Sequence, residues 1–174
     1  TLADKKNIIK SKDNAFELEM DITPNITGIT GIELYNAKGE NVKIYFDTKE
    51  RKLVMDRTES GLIEFGKLSV PHDIEKNYSD VHQGAGNTPF RVFNSVNYKN
   101  DFALGTWAPL SLCKGKTYHI DIFVDKCSVE IFVDGGRIAM TNLVFPTTPY
   151  TSIKFYNKGT SASFHNIKIS ELSL

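Results

Sequence analysis

Between Tyr118 and Val133 the side chains alternate apolar and polar with a period of two, interrupted only around Lys126 and Cys127. Successive side chains of an extended strand point to opposite faces, so this pattern specifies a β-hairpin and excludes a helix. A turn centred on Lys126 and Cys127 pairs Val124 with Val129, Ile122 with Ile131, and Ile120 with Val133. These β-branched side chains then share one face, and that face belongs in a core. The opposite face is mixed: Phe123 stands against Glu130, Asp121 against Phe132, and His119 against Asp134. It is too apolar for a plain solvent surface. It packs either on a second layer of the same domain or on a neighbouring one.

The same period recurs along the chain. Phe16, Leu18, Met20 and Ile22 alternate with acidic residues, as Val42, Ile44 and Phe46 alternate with Lys43, Tyr45 and Asp47. Asn36-Ala37-Lys38-Gly39 reads as a hairpin connection, with Gly39 taking positive φ. Leu53 to Met55, Arg137 to Thr141, Ser152 to Asn157 and Ala162 to Leu172 supply further strands. Phe164 differs in parity from Ile167 and Ile169, which predicts a β-bulge between them. Residues 66–117 are less regular; Phe90 to Phe93 and Phe102 to Leu104 read as short strands there, and Asp73 to Tyr78 as one helical turn. Many short strands with Gly and Pro turns predict an all-β fold, a two-layer antiparallel β-sandwich of the concanavalin or lectin-like jelly-roll type. Residues 1–14 are expected to be the end of an interdomain linker, and residues 15–174 the sandwich.

Composition limits the function. The 21 Lys and Arg balance the 21 Asp and Glu, so the chain lacks the basic footprint of a nucleic-acid binder and a polybasic patch for anionic membrane. No run of residues approaches the roughly 20 apolar positions of a membrane span. The opening residues from Thr1 are polar, so no signal peptide is expected within them. Cys113 and Cys127 are read as unpaired thiols, and the four histidines are scattered without metal-ligand spacing, so neither metal nor cofactor is expected.

Three segments resemble glycoside hydrolase family 32. Leu53 to Gly61 contains Asp56-Arg57-Thr58-Glu59-Ser60-Gly61, similar to the family's Asp-Arg-Thr/Ser-x-Ser-Gly stretch. Ile122 to Arg137 is similar to its Phe-Val-Asp-x-Ser-Ser-Val-Glu-Ile-Phe-Val-Asn-x-Gly-Arg hairpin. Met140-Thr141 followed by Val144-Phe145-Pro146 resembles what comes next. Cys127 departs from the pattern, where the family has a small hydroxyl residue, and the stretch from Leu68 to Leu112 is longer than expected. The resemblance implies the C-terminal sandwich of a two-domain enzyme whose N-terminal five-bladed β-propeller hydrolyses β-fructosidic bonds in sucrose, levan or inulin. The family's catalytic segments, Asn-Asp-Pro-Asn, Arg-Asp-Pro and Glu-Cys, do not occur here. Retaining hydrolysis needs two carboxyls about 5 Å apart, so no catalytic residue is assigned and the fragment is read as non-catalytic. Asp56, Arg57, Ser60, Gly61, Asp125, Ser128, Glu130 and Phe132 are its family-motif residues, with structural roles.

Each of these residues has a sharper reading. Asp56 and Arg57 suit a catalytic acid with its tuning cation, or a structural ion pair at a strand end with Thr58 and Ser60 capping the turn. Asp125 and Glu130 suit a hydrolytic carboxylate pair, but a turn aspartate normally caps backbone amides. His119 and Asp134 suit a dyad or a surface pair. Trp107, the single tryptophan, suits a sugar-stacking platform in a loop, or a ring packed at the sandwich edge or against a partner domain. Two functions compete. One is an ancillary module that buttresses the propeller, and shapes substrate access or dimerisation. The other is an independent carbohydrate-binding module for fructan or fructo-oligosaccharide. A binding module calls for several exposed aromatics or an acidic metal loop, which favours the first. Family habit places the parent in a secreted or periplasmic setting.

Overall fold

A computed structural model describes residues 4–63 and 102–172. Among the described residues ten strands are arranged as two five-stranded sheets, with neighbouring strands antiparallel. They are β1 (Phe16–Thr23), β2 (Ile29–Tyr35), β3 (Asn41–Asp47), β4 (Lys52–Glu59), β5 (Gly105–Pro109), β6 (Tyr118–Val124), β7 (Ser128–Val133), β8 (Ile138–Leu143), β9 (Ser152–Lys158) and β10 (Ser163–Glu171). The first sheet runs β10-β1-β6-β7-β8 and the second β5-β4-β3-β2-β9. This is the sandwich that the alternation predicts.

The hairpin register is the expected one: Ile120 faces Val133, Ile122 faces Ile131, and Val124 faces Val129. All six of these side chains are at most 1% exposed. They meet Phe16, Leu18, Met20 and Ile22 of β1 on their own sheet, and Ile32, Leu34, Val42, Ile44, Phe46, Leu53 and Met55 from the other sheet, in one buried cluster. The alternation is therefore the core itself, written once per strand. Asp125 N–H donates to Ser128 O at 2.9 Å and closes the hairpin turn. At the far end Asp134, Gly135 and Gly136 all have positive φ and reverse the chain into β8. Gly39, at φ 82°, does the same for the β2–β3 hairpin.

The expected bulge in β10 is present. Glu19 pairs with Lys168 but Asp21 with His165, so one extra residue is taken up in β10. Asn166 sits within it at φ 51°, a conformation asparagine tolerates better than most residues.

Four expectations need correction or fall elsewhere. Phe102 to Leu104 is not a strand: Leu104 N–H donates to Phe102 O at 2.8 Å, which bends the chain just before β5 begins at Gly105. Trp107 therefore stands on an edge strand instead of in a loop. Asp73 to Tyr78 and Phe90 to Phe93 lie outside the described residues.

Residues 4–14 pack along the sandwich. Lys5 and Ile153 exchange two backbone hydrogen bonds at 2.8 Å each, Ile9 is buried in the core cluster, and Ser11 Oγ accepts from Ala15 N–H. Buried Asn14 donates to Asp125 O and accepts from Tyr150 N–H.

Truncating Ile131 or Ile122 to alanine leaves a cavity between two closely packed sheets. The expected cost is about 2–5 kcal/mol in each case, read as a lower urea midpoint at unchanged slope.

Candidate functional site

Four of the eight family-motif residues, Asp56, Arg57, Ser60 and Gly61, lie where β4, β5 and β8 come together at one margin of the sandwich. On β4, Leu53 and Met55 face the core, and Arg57 follows them at the same parity. The β3–β4 register slips here: Lys43 pairs with Asp56 but Asn41 with Glu59, so Arg57 and Thr58 together oppose Val42. The bulge sets the half-buried Arg57 side chain at the mouth of the core. Its Nη1 donates to Leu143 O on β8 at 2.9 Å and so links one sheet to the other. Its guanidinium carbon lies 4.1 Å from the Phe102 ring centroid, a cation–π contact. Phe102 in turn packs on Phe145 at 5.6 Å. Burial pulls the guanidinium below its ordinary range.

Gly61 and the Val144-Phe145-Pro146 segment complete this seam. Leu62 N–H donates to Phe145 O at 2.8 Å. Gly61 has φ 131°, and a Cβ there would lie 2.2 Å from Phe145 O. Only glycine lets the two motif segments approach this closely. Ser60 is fully buried; its carbonyl accepts from Tyr150 Oη at 2.7 Å, and burial raises the Tyr150 phenol above its ordinary range. A second link joins the sheets nearby, where Asn142 Nδ2 donates to Thr106 Oγ1 at 2.6 Å.

Asp56 and Arg57 do not form the expected ion pair. Adjacent strand residues point to opposite faces. The Asp56 carboxylate instead accepts from Thr58 N–H at 2.9 Å and Thr58 Oγ1 at 2.7 Å. Ser60 Oγ caps nothing, being buried without a hydrogen-bond partner. Asp125 takes a turn role, its Oδ1 accepting from Lys126 N–H at 2.5 Å. Ser128 and Glu130 lie on β7, and Phe132 packs edge-to-face on Phe123 at 5.9 Å on the outer side of the first sheet. Cys113 and Cys127 are both exposed free thiols.

The His119–Asp134 dyad does not form either. His119 and Asp134 meet through backbone groups, with His119 N–H donating to Asp134 Oδ1 at 3.1 Å. The Asp134 carboxylate is held by Lys116 at 2.6 Å. The imidazole turns to β1 and along β6 instead: Nδ1 lies 2.8 Å from Asp21 and Nε2 3.0 Å from Asp121. Asn166, from the bulge, donates to the other Asp21 oxygen at 2.6 Å. Hydrogen bonding to Asp21 raises the His119 pKa above its ordinary value, while the bond from His119, with that from Asn166, lowers that of Asp21. Glu19, His119 and Asp121 also bring ligand atoms within 4.8 Å of one another, and Lys168 sits on Glu19 at 2.5 Å. The linear sequence hides this group because its members belong to different strands. The β1–β6 register, Glu19 with Asp121 and Asp21 with His119, assembles it.

Trp107 is 57% exposed on edge strand β5, with Lys52 Nζ 4.5 Å from its ring centroid. The next strand places Val54 beside it.

Two antiparallel sheets around one aliphatic core, stitched at this margin, define a lectin-like β-sandwich. Residues 1–171 match the family model described as Glycosyl hydrolases family 32 C terminal, and the chain belongs to that family. The part of the family that it matches is the C-terminal module. A levanbiose-producing levanase from Bacillus subtilis (strain 168) is 35% identical over 95 residues, covering 55% of this chain and 17% of that protein. A fructosyltransferase from A. japonicus superposes with a TM-score of 0.66 at 17% identity, covering 98% of this chain and 24% of the other. The galectin LEC-6 of Caenorhabditis elegans superposes with a TM-score of 0.59 at 11% identity, covering 98% of this chain and 93% of its own. At such identities the structural likeness is one of fold. This chain spans less than a quarter of the length of either enzyme: 17% of the levanase and 24% of the fructosyltransferase. No helix among the described residues is long and apolar enough to cross a membrane.

Two measurements check this geometry. Gly61→Ala combines strained backbone with a clash against Phe145, and is expected to cost about 2–4 kcal/mol in chemical unfolding. Gly39→Ala, with open space around it, is expected to cost about 1 kcal/mol. The His119–Asp21 pair should also shape stability against pH. The raised His119 value gives stabilisation that is full below 6.5 and fades as pH rises through the folded-state value. The lowered Asp21 value gives stabilisation present above 3.8 that is lost as pH falls through its own folded-state value. The pair therefore contributes most between pH 3.8 and 6.5. His119→Gln should flatten the decline in urea midpoint on the alkaline side. The effect is expected to stay below about 1 kcal/mol, because the pair is solvent-screened.

Proposed function

We propose that this chain buttresses the catalytic domain of a glycosidase that hydrolyses β-fructosidic bonds in sucrose, levan or inulin. In this reading the partner is an N-terminal five-bladed β-propeller of the same polypeptide. The sandwich stabilises the propeller and, from its flank, shapes substrate access. Residues 1–14 are the end of the linker between the two, and residues 4–9 of it lie along β9. The parent works in a secreted or periplasmic setting, where polymeric fructan is met.

The observation that carries the reading is the match of residues 1–171 to the C-terminal model of the family. The use of the motif residues supports it. Asp56 serves Thr58, Arg57 serves the Leu143 carbonyl, and Asp125 serves the Lys126 amide. Polar groups committed to backbone hold a scaffold in shape.

A second reading, a module that itself binds fructan or fructo-oligosaccharide, is favoured by one observation. Trp107 exposes more than half of its surface on an edge strand. A flat indole suits the C–H face of a sugar ring. Trp107 is, however, the only aromatic among the exposed large hydrophobics of the described residues, and a binding face normally offers several.

Deleting this module from the full-length parent is expected to lower the thermal midpoint of the remaining catalytic domain and its retained activity after heating. A catalytic domain equally stable and active without it ends the buttress reading. Titrating this chain with levan and inulin is expected to show no binding tighter than millimolar. Tighter binding that is lost in Trp107→Ala moves the assignment to the second reading.

A further inference from the structure

We propose that Glu19, His119 and Asp121 form a binding site for a zinc-type divalent metal ion on the outward face of the first sheet, with Asp21 holding the imidazole from behind. The site belongs to the module's own fold and is independent of the buttress reading.

The first observation is the donor set. Among the described residues, these three are the one group of histidine, cysteine and acidic side chains whose ligand atoms all lie within 4.8 Å of one another. Each stands on a paired strand. Glu19 of β1 pairs with Asp121 of β6, and Asp21 with His119, so the four side chains project outward from one ladder. They are not a freely solvated acidic patch: the side chains of Glu19, Asp21 and Asp121 keep only 27%, 24% and 21% of their surface exposed. Zinc held by one imidazole nitrogen and two carboxylate oxygens at about 2.0–2.2 Å needs those atoms about 3.4 Å apart. Small side-chain rotations bring atoms already within 4.8 Å to that spacing.

The second observation is the imidazole itself, because both of its nitrogens face carboxylates. Nδ1 lies 2.8 Å from Asp21 Oδ1, and Nε2 lies 3.0 Å from Asp121 Oδ1. An ionised carboxylate only accepts, and a neutral imidazole carries a single N–H. With that N–H on Asp21, the bare Nε2 meets the lone pairs of Asp121, and the arrangement calls for a cation between them. A proton can stand there, but only a metal ion engages Nε2, Asp121 and Glu19 together. The Asp21 contact is the carboxylate–histidine support that orients a metal-binding ring. It is anchored in turn, since Asn166 in the β10 bulge donates to the second Asp21 oxygen at 2.6 Å.

The charge around the group favours a cation. The outward positions of β1, β6, β7 and β10 carry Glu17, Glu19, Asp21, Asp121 and Glu130, against Lys168 as their permanent cation. Lys168 Nζ holds Glu19 Oε2 at 2.5 Å, which leaves Oε1 for the ion. Phe132, opposite Asp121, packs with Phe123 and sets apolar surface beside that carboxylate, which strengthens its pull on a cation. The donor types then select the metal. Calcium and magnesium take oxygen ligands, whereas an imidazole beside carboxylates suits zinc, with water in the fourth position. Bound there, the ion ties β1 to β6 across the outside of the sheet.

Zinc titration of this chain tests the site. The protein is made metal-free with a chelator and carries Cys113→Ser and Cys127→Ser, which remove its exposed thiols. One zinc per chain is expected to bind saturably, and nitrogen NMR should place it on Nε2 of His119. Zinc at a hundredfold excess over its Kd should raise the folded-to-unfolded ratio about a hundredfold, read from the urea midpoint. His119→Gln, Asp121→Asn and Glu19→Gln should each weaken binding at least tenfold. Asp21→Asn, which leaves all three ligands in place, should weaken it by about tenfold to a hundredfold. His165→Gln, on the neighbouring β10, should leave it unchanged. Binding that needs millimolar zinc, binding that survives His119→Gln, or calcium bound as tightly as zinc each overturns the site. So does zinc that binds without raising the urea midpoint.

Discussion

The rest of the structure depends on burial of the aliphatic side of the β6–β7 hairpin against the opposite sheet. Strand pairing fixes which residues share that side, and exclusion of water fixes the pairing, since a slip by one residue would put Phe123, Glu130 and Asp121 inside. With Ile120, Ile122, Val124, Val129, Ile131 and Val133 all at most 1% exposed, the register has no close competitor. Each neighbouring strand then inherits its orientation from this pair. β1 joins β6 residue for residue from Phe16 with Val124 to Ile22 with Tyr118, and β8 joins β7 in the same way.

Most of this frame was legible in the sequence because period-two alternation reports directly on burial. The hairpin register and the β10 bulge follow from parity, and the turns from glycines that take positive φ. What parity does not carry is the partner of a polar side chain. His119 and Asp134 face each other across the hairpin, yet the imidazole turns toward Asp21 on a strand almost a hundred residues away, at a sequence separation of 98. Asp56 and Arg57 are neighbours in the chain and for that reason lie on opposite faces. Trp107 reads as a loop residue because Gly105 and Pro109 flank it, but an edge strand tolerates both, its outward side having no ladder partner among the described residues.

The family motifs gain their physical meaning at the margin where the sheets meet. Two of the three segments, Leu53 to Gly61 and Met140 to Pro146, come together around one carbonyl-rich seam although Arg57 and Leu143 are 86 residues apart in sequence. Gly61 gives the clearance, Arg57 spans the gap to Leu143, and Tyr150 closes the ring at Ser60. None of these contacts forms a cleft. They determine how the two sheets are held at their open side, and hence the shape that the module presents outward.

The segment at residues 4–9 has an effect beyond its own packing. β9 ends the second sheet, and its free flank is met by the Lys5 bridge, by Ile9 N–H on Thr151 O, and by Asp4 on the Phe155 amide. An uncovered flank of this kind is a template on which a foreign strand can add, the first step of fibrous polymerisation. Residues 4–9 act as a sheath over it, so trimming that stops short of Ile8 and Ile9, which pack on the core, would harm solubility before it harmed the fold.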